Sequence, residues 1–295
     1  MQKILTNGIM VFLLGFFWAS ETILGKLALD RDTSPFEFPL IMNIGTIIAV
    51  SLLFVHPKYR KEIFIWKTET FFWMLCVALS MVFFPYFVLF LCLREITPAE
   101  AAIITSLTPV FSLAIGVVLY GIAIRFTYLL ALVFGMAGIA LMLFPQLNER
   151  AGASDVLWYL FMLFVPLSYA SSGYFLKKCS DLGTSYIQLL FITNLVSAIL
   201  FFLLNKGESV SYNNSNNTIY MLAIAVNILA VITMLYSSRR MSPFALSFSN
   251  YSTLIFSFIL SVLIFTQQFS LSLITAALFI FISSMLVQKP QSTYD

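Results

Sequence analysis

Residues 8–29 read GIMVFLLGFFWASETILGKLAL, an apolar run broken by one acid, Glu21, and one base, Lys26. A bilayer core about 30 Å thick takes roughly 20 apolar residues in a helix. This run is longer than a signal-peptide core and carries a lysine beyond its middle, so it reads as a retained transmembrane helix. The same texture continues along the chain. Of 295 residues 60% are hydrophobic and 10% charged, with a mean hydropathy of +0.96, against about 25% charged in a soluble domain. Such an excess faces lipid.

Breaking the sequence at its charged, Pro and Asn clusters predicts ten spans, at 6–29, 37–55, 70–93, 98–120, 125–144, 155–177, 185–204, 217–237, 243–265 and 269–287. The runs are apolar on every side, which suits helices and not the alternating strands of a barrel. Breaks such as Arg94-Glu95-Ile96-Thr97 are short and make neighbours antiparallel. With the N-terminus inside, 11 of the 16 Lys and Arg fall on the cytoplasmic side, so both termini are expected in the cytoplasm. The fold class is an all-α membrane protein whose environment is the lipid bilayer.

The halves echo each other. Trp18-Ala19-Ser20-Glu21 leads to Lys26 as Tyr169-Ala170-Ser171-Ser172 leads to Lys177, an offset of 151. Arg94-Glu95-Ile96-Thr97-Pro98-Ala99 parallels Arg239-Arg240-Met241-Ser242-Pro243-Phe244, an offset of 145. Two repeats of five helices, 1–147 and 148–295, follow, and the odd count inverts the second relative to the first. Inverted repeats are the architecture of alternating access.

The net charge of +3 is small and dispersed, so no nucleic-acid partner is expected. Cys76, Cys92 and Cys179 have no CxxC spacing, and His56 is the single histidine, so neither a metal cluster nor a cofactor is expected. No GxSxG, HExxH or P-loop pattern is present. A membrane-embedded lipid-modifying enzyme, the main alternative, thus lacks a recognisable base, nucleophile or metal site. An accessory membrane subunit is a further alternative. Asn213-Asn214-Ser215 and Asn216-Asn217-Thr218 fit the glycosylation pattern on an outer loop, although an Asn-rich loop needs no sugar.

Thr97-Pro98 with Glu100 spells a complete capping box, which assigns Glu100 to a helix start. These residues, with Leu107-Thr108-Pro109-Val110 and Gly135-Met136-Ala137-Gly138, resemble the ten-helix EamA-like branch of the drug/metabolite transporter superfamily. The second half departs from that pattern: Gln267-Gln268 stands where the family has Gly-Glu, and helix nine lacks a counterpart of Pro109. The resemblance implies a substrate cavity between the halves, lined by helices one, three, four, six, eight and nine. It also implies transport of a small metabolite, an amino acid or related amphipathic compound, across a bacterial cytoplasmic membrane by proton coupling or exchange. A homodimer is compatible with it.

A mid-span charge persists only with a partner or a wet cavity. Glu21, on the Trp18, Glu21, Gly25 face, is the expected substrate and proton-coupling residue, the alternative being a static ion pair or hydrogen bond, with Lys26 or Lys177 as candidate partners. Lys26 is a second candidate unless it snorkels to the headgroups. Trp18, Tyr86, Ser168, Tyr169, Ser172, Asn227, Tyr236, Asn250 and Tyr251 complete the candidate substrate-binding set. Asn227 and Asn250 serve equally as interhelical hydrogen bonds. Pro85, Pro109 and Pro166 are expected to kink their helices.

Overall fold

The computed structural model describes residues 2–55, 68–121, 126–149, 153–205, 216–238, 240–241, 246, 249–266 and 271–287. His56, Asn213 to Ser215, Arg239, Ser242 to Phe244 and the Gln267-Gln268 pair lie outside the described residues. Among the described residues the fold is helical throughout, without strands. The chain runs through α1 (Gln2–Leu29), α2 (Glu37–Ser51), α3 (Thr68–Val77), a π-helical turn (Ala78–Phe83) and α4 (Phe84–Cys92). It continues through α5 (Pro98–Thr105), α6 (Thr108–Tyr120), α7 (Phe126–Glu149), α8 (Ala153–Met162) and α9 (Phe164–Asp181). It ends with α10 (Tyr186–Leu204), α11 (Asn217–Ser238), α12 (Ser249–Phe265) and α13 (Leu271–Val287).

Among the described residues, six stretches are long and apolar enough to cross a bilayer: Ile9–Leu29, Thr68–Cys92, Pro98–Leu119, Val156–Asp181, Tyr186–Leu204 and Asn217–Ser238. Their outer faces carry apolar side chains that water would not tolerate in such number, among them Val118, Met221 and Phe202, all more than half exposed. The protein is therefore an integral, multi-pass membrane protein.

Three of these stretches are interrupted, each by a proline. Proline has no N–H and its ring crowds the carbonyl four residues earlier. For Pro109 that residue is Thr105, where α5 ends; for Pro166 it is Met162, where α8 ends. For Pro85 it is Met81, which lies inside the π turn. At the start of α5 the predicted box forms. Glu100 N–H donates to Thr97 Oγ1 at 3.3 Å, and Thr97 N–H donates to Glu100 Oε2 at 2.8 Å.

Packing crosses the middle of the sequence. α1 lies against α11 and α12, while α9 lies against α3, α4 and α6. α2 pairs with α10, and α7 with α13. Gly15 allows the α1–α12 approach: a Cβ there would stand 2.6 Å from Thr253 N and 2.7 Å from Ser249 O, backbone atoms with no freedom to yield. α2 and α11 are joined at one end by a polar knot. Asn216 Nδ2 donates to Thr33 Oγ1 at 3.0 Å, and Tyr220 OH stands 3.2 Å from that oxygen and 3.5 Å from Glu37 Oε1. Asn216, at the second glycosylation pattern, is 1% exposed, which leaves no space for a sugar.

Candidate functional site

Trp18 and Tyr169, the residues matched at the offset of 151, meet in the middle of the bundle. Their rings stack with centroids 5.6 Å apart and planes 13° apart. A cavity lies on each side of this stack, and Trp18, Tyr169 and Asn250 line both. The first also takes Glu21 and Thr22 from α1, Tyr86 and Phe90 from α4, Thr105 from α5 and Thr253 from α12. The second takes Met81 from the π turn, Thr108, Ser172 and Gly173, with Met234 and Leu246. Each has a free volume of about 20 Å³, room for about one water molecule.

Glu21 is 3% exposed. Its Oε2 accepts a hydrogen bond from Tyr86 OH at 2.8 Å, while its Oε1 has no partner among the described residues. Neither lysine named beside it in the sequence pairs with it. Lys26 forms an ion pair with Asp30 at 3.1 Å and donates to Leu93 O at 2.8 Å, and Lys177 bonds Asp181 at 2.7 Å. Lys26 thus ties the end of α1 to the end of α4 and lines neither cavity.

Beyond Tyr86 the polar atoms continue in a chain. Tyr86 OH is 3.5 Å from Asn227 Oδ1, and Asn227 Nδ2 donates to Thr46 Oγ1 at 2.9 Å with Asn194 Oδ1 at 3.5 Å. All three end residues are buried. The chain therefore runs from α1 through α4 to α11, α2 and α10. Asn227 belongs to this chain rather than to a cavity wall.

The hydroxyls around the cavities have assigned protons. Thr22 donates to Trp18 O at 3.0 Å, Thr105 to Ala102 O at 3.0 Å, Thr253 to Ser249 O at 3.0 Å and Ser172 to Tyr169 O at 2.8 Å. Helical hydroxyls commonly bond back in this way. Their oxygens keep a lone pair, so the hydroxyls on these walls present acceptors. Thr22, Thr105 and Thr253 were not singled out in the sequence. Thr105 was reachable, because it stands 145 before Asn250 and hence at the equivalent place in the first half.

Three other candidates stand elsewhere. Ser168 lines a separate apolar groove of about 570 Å³ between α3–α4 and α8–α9. Tyr236 is engaged by Arg240 one turn on, through its hydroxyl and through the cation over its ring at 3.7 Å. Tyr251 packs edge-on to Phe281 of α13, with centroids 5.8 Å apart.

No curated protein matches the sequence. A solved crystal structure of another protein, 19% identical, superposes with a TM-score of 0.59, covering 94% of this chain and 96% of that one. At that identity the likeness concerns the fold alone. The EamA-like transporter family matches residues 6–144 and again 156–288, which together span nearly the whole chain as two successive copies. The chain therefore belongs to the EamA-like transporter family, within the drug/metabolite transporter superfamily of membrane transporters.

Proposed function

We propose that this protein is a secondary transporter of a small amphipathic amine, an amino-acid-related metabolite carrying an ammonium group, which it moves by alternating access. The observation that carries the reading is the vacant Glu21 Oε1, buried in a cavity edged by the Trp18 and Tyr169 rings. A carboxylate among aromatic faces suits a cation through charge and through the ring quadrupoles. The acceptor oxygens of Thr22, Thr105 and Thr253 suit the N–H donors of an ammonium group. Among the described residues no Lys or Arg lines either cavity, so a free amine is better accommodated than a zwitterion.

Ten spans are read by adding α2, α7, α12 and α13 to the six long stretches, with both termini cytoplasmic in a bacterial inner membrane. The two-copy family match and the crossed packing of α1 and α9 support an inverted repeat. Such a repeat permits the halves to exchange conformations and so to open first one face and then the other.

Coupling follows from proton counting at Tyr86. A phenol has one proton to donate. With Glu21 ionised, that proton goes to Glu21 Oε2 at 2.8 Å, and Asn227 Oδ1 at 3.5 Å receives nothing. With Glu21 protonated, the carboxyl donates to the phenol oxygen, and the Tyr86 proton turns to Asn227. The charge of Glu21 is thereby transmitted to α11, α2 and α10.

The test is binding and flux of 2-phenylethylammonium, tetramethylammonium and neutral 2-phenylethanol with the purified protein and with Glu21→Gln. Binding of an ammonium probe that stabilises the native protein against heat, is lost in Glu21→Gln and is matched by flux in proteoliposomes supports the reading. Equal binding of the neutral alcohol, or intact ammonium binding in Glu21→Gln, refutes it.

A further inference from the structure

The two cavities are images of each other through the sequence repeat. At the offset of 151, Trp18 corresponds to Tyr169, both lining both cavities, and Glu21 corresponds to Ser172 and Thr22 to Gly173, the first of each of these two pairs lining one cavity and the second the other. At the offset of 145, Leu89 corresponds to Met234, Ala101 to Leu246, and Thr108 to Thr253 in the reverse sense. That second offset is set by Arg94 to Ala99, none of which lines either cavity. Two stretches on different helices, aligned by a motif outside the site, therefore fold into matched pockets, each with a free volume of about 20 Å³.

The correspondence breaks at the charge. The Glu21 cavity holds a carboxylate, and its image holds the Ser172 hydroxyl, whose proton is given to Tyr169 O. Both pockets offer oxygen acceptors, yet one is acidic and the other neutral. With the termini cytoplasmic, the neutral pocket lies on the inner side of the Trp18–Tyr169 stack.

Resting on the transport reading above, we propose that the Ser172 cavity is a second seat for the same ammonium substrate. The substrate reaches it when the Trp18 and Tyr169 rings part, and holds it weakly because Ser172 stands where Glu21 has its image. The structure thus gives the carrier a tight outer seat and a neutral inner seat in series. An ammonium loses a charge-assisted contact on passing from the first to the second. A carrier with carboxylates in both seats would retain its cargo on the inner side.

The experiment places a carboxylate in the inner seat. Ser172→Glu, Glu21→Gln and the exchange Glu21→Gln/Ser172→Glu are reconstituted, and 2-phenylethylammonium binding and sided release are measured. Ser172→Glu is expected to bind the probe at least tenfold tighter from the inner face and to release it there at least tenfold more slowly. The exchange variant should regain the binding lost in Glu21→Gln, now from the inner face alone. In case Ser172→Glu does not fold, Ser172→Cys in a Cys76→Ala/Cys92→Ala/Cys179→Ala background reports the same seat. A cationic thiol reagent applied from inside should label it, and 2-phenylethylammonium should slow the labelling at least fivefold. Inner-face affinity and release unchanged in Ser172→Glu, or labelling of Ser172→Cys indifferent to the probe, while Glu21→Gln still abolishes binding, overturns the second seat and leaves the Glu21 reading standing. Binding that survives in Glu21→Gln overturns both.

Discussion

The single proton of Tyr86 makes the coupling chain open to a quantitative test. Tyr86→Phe and Asn227→Leu, made singly and together, give a double-mutant cycle for the Tyr86–Asn227 contact, and the cycle cancels the Asn227–Thr46 bond that Asn227→Leu also removes. At high pH, with Glu21 ionised, Tyr86 donates over 2.8 Å to the carboxylate and the 3.5 Å contact to Asn227 carries no proton. The coupling energy should then lie within about 0.5 kcal/mol of zero, the usual additivity error. As pH falls and Glu21 takes a proton, the phenol proton turns to Asn227, and the coupling should rise to about 0.6–1.7 kcal/mol, the range of hydrogen bonds within membrane helices. A Glu21→Leu background removes the competing acceptor, so the larger value should appear there at every pH. Reversible unfolding of micelle-embedded protein by SDS titration reads all four corners of each cycle. A coupling that is the same at high and low pH, and the same with Leu at position 21, would refute the proton-sharing argument.

Other consequences are simpler. Gly15→Val drives a branched side chain against Thr253 N and Ser249 O, so it should cost about 1–3 kcal/mol or more, seen as a lower melting temperature and a broadened size-exclusion peak. Unchanged melting would mean that α1 and α12 are not so close. Thr97→Ala removes the hydroxyl half of the α5 box and should cost about 0.5–2 kcal/mol with ammonium affinity retained. Thermal melts and a binding isotherm check the two halves of that statement. Trp18→Ala deletes one face of the stack that divides the cavities. It should weaken ammonium binding and let the probe leak down its gradient in proteoliposomes without counter-flux. A tight, non-leaking Trp18→Ala carrier would assign the barrier to other residues.

What was legible in the sequence followed from local rules. The capping box needs only Thr97, Pro98 and Glu100 within one turn, and the proline breaks need only the crowding of a carbonyl four residues back. Glu21 stood out because charge in an apolar span is rare. The repeat motif around Trp18 and Tyr169 marked the two rings that stack between the cavities. Illegible were distinctions of helical phase and of long-range partner. A helix turns about 100° per residue, since it has 3.6 residues per turn. Ser168 is thus carried off the Tyr169 face into a lateral groove, and Tyr251 off the Asn250 face onto Phe281. Lys26 has a flexible stem, and the Leu93 carbonyl that captures it comes from 67 residues away, beyond any local rule. Tyr236 and Arg240 were an i,i+4 pair whose meeting could have been read from spacing.

The weak points of the backbone coincide with the cavity walls. The π turn contains Met81, which lines the Ser172 cavity, and α5 breaks at Thr105, which lines the Glu21 cavity. Bending at either place reshapes a wall directly, without requiring a shift in the whole helix. The observed packing around the cavities is held by a ring stack worth about 0.5–1.5 kcal/mol and by the Tyr86–Glu21 bond, worth about 0.6–1.7 kcal/mol in this setting. Neither contact is strong, so opening requires only a ligand that interacts unequally with the closed and open states. A neutral molecule that merely fills space gains little from Glu21 Oε1. On the proposed reading an ammonium group gains a charge-assisted bond there, and it favours opening to the extent that this bond is stronger in the open state than in the closed one.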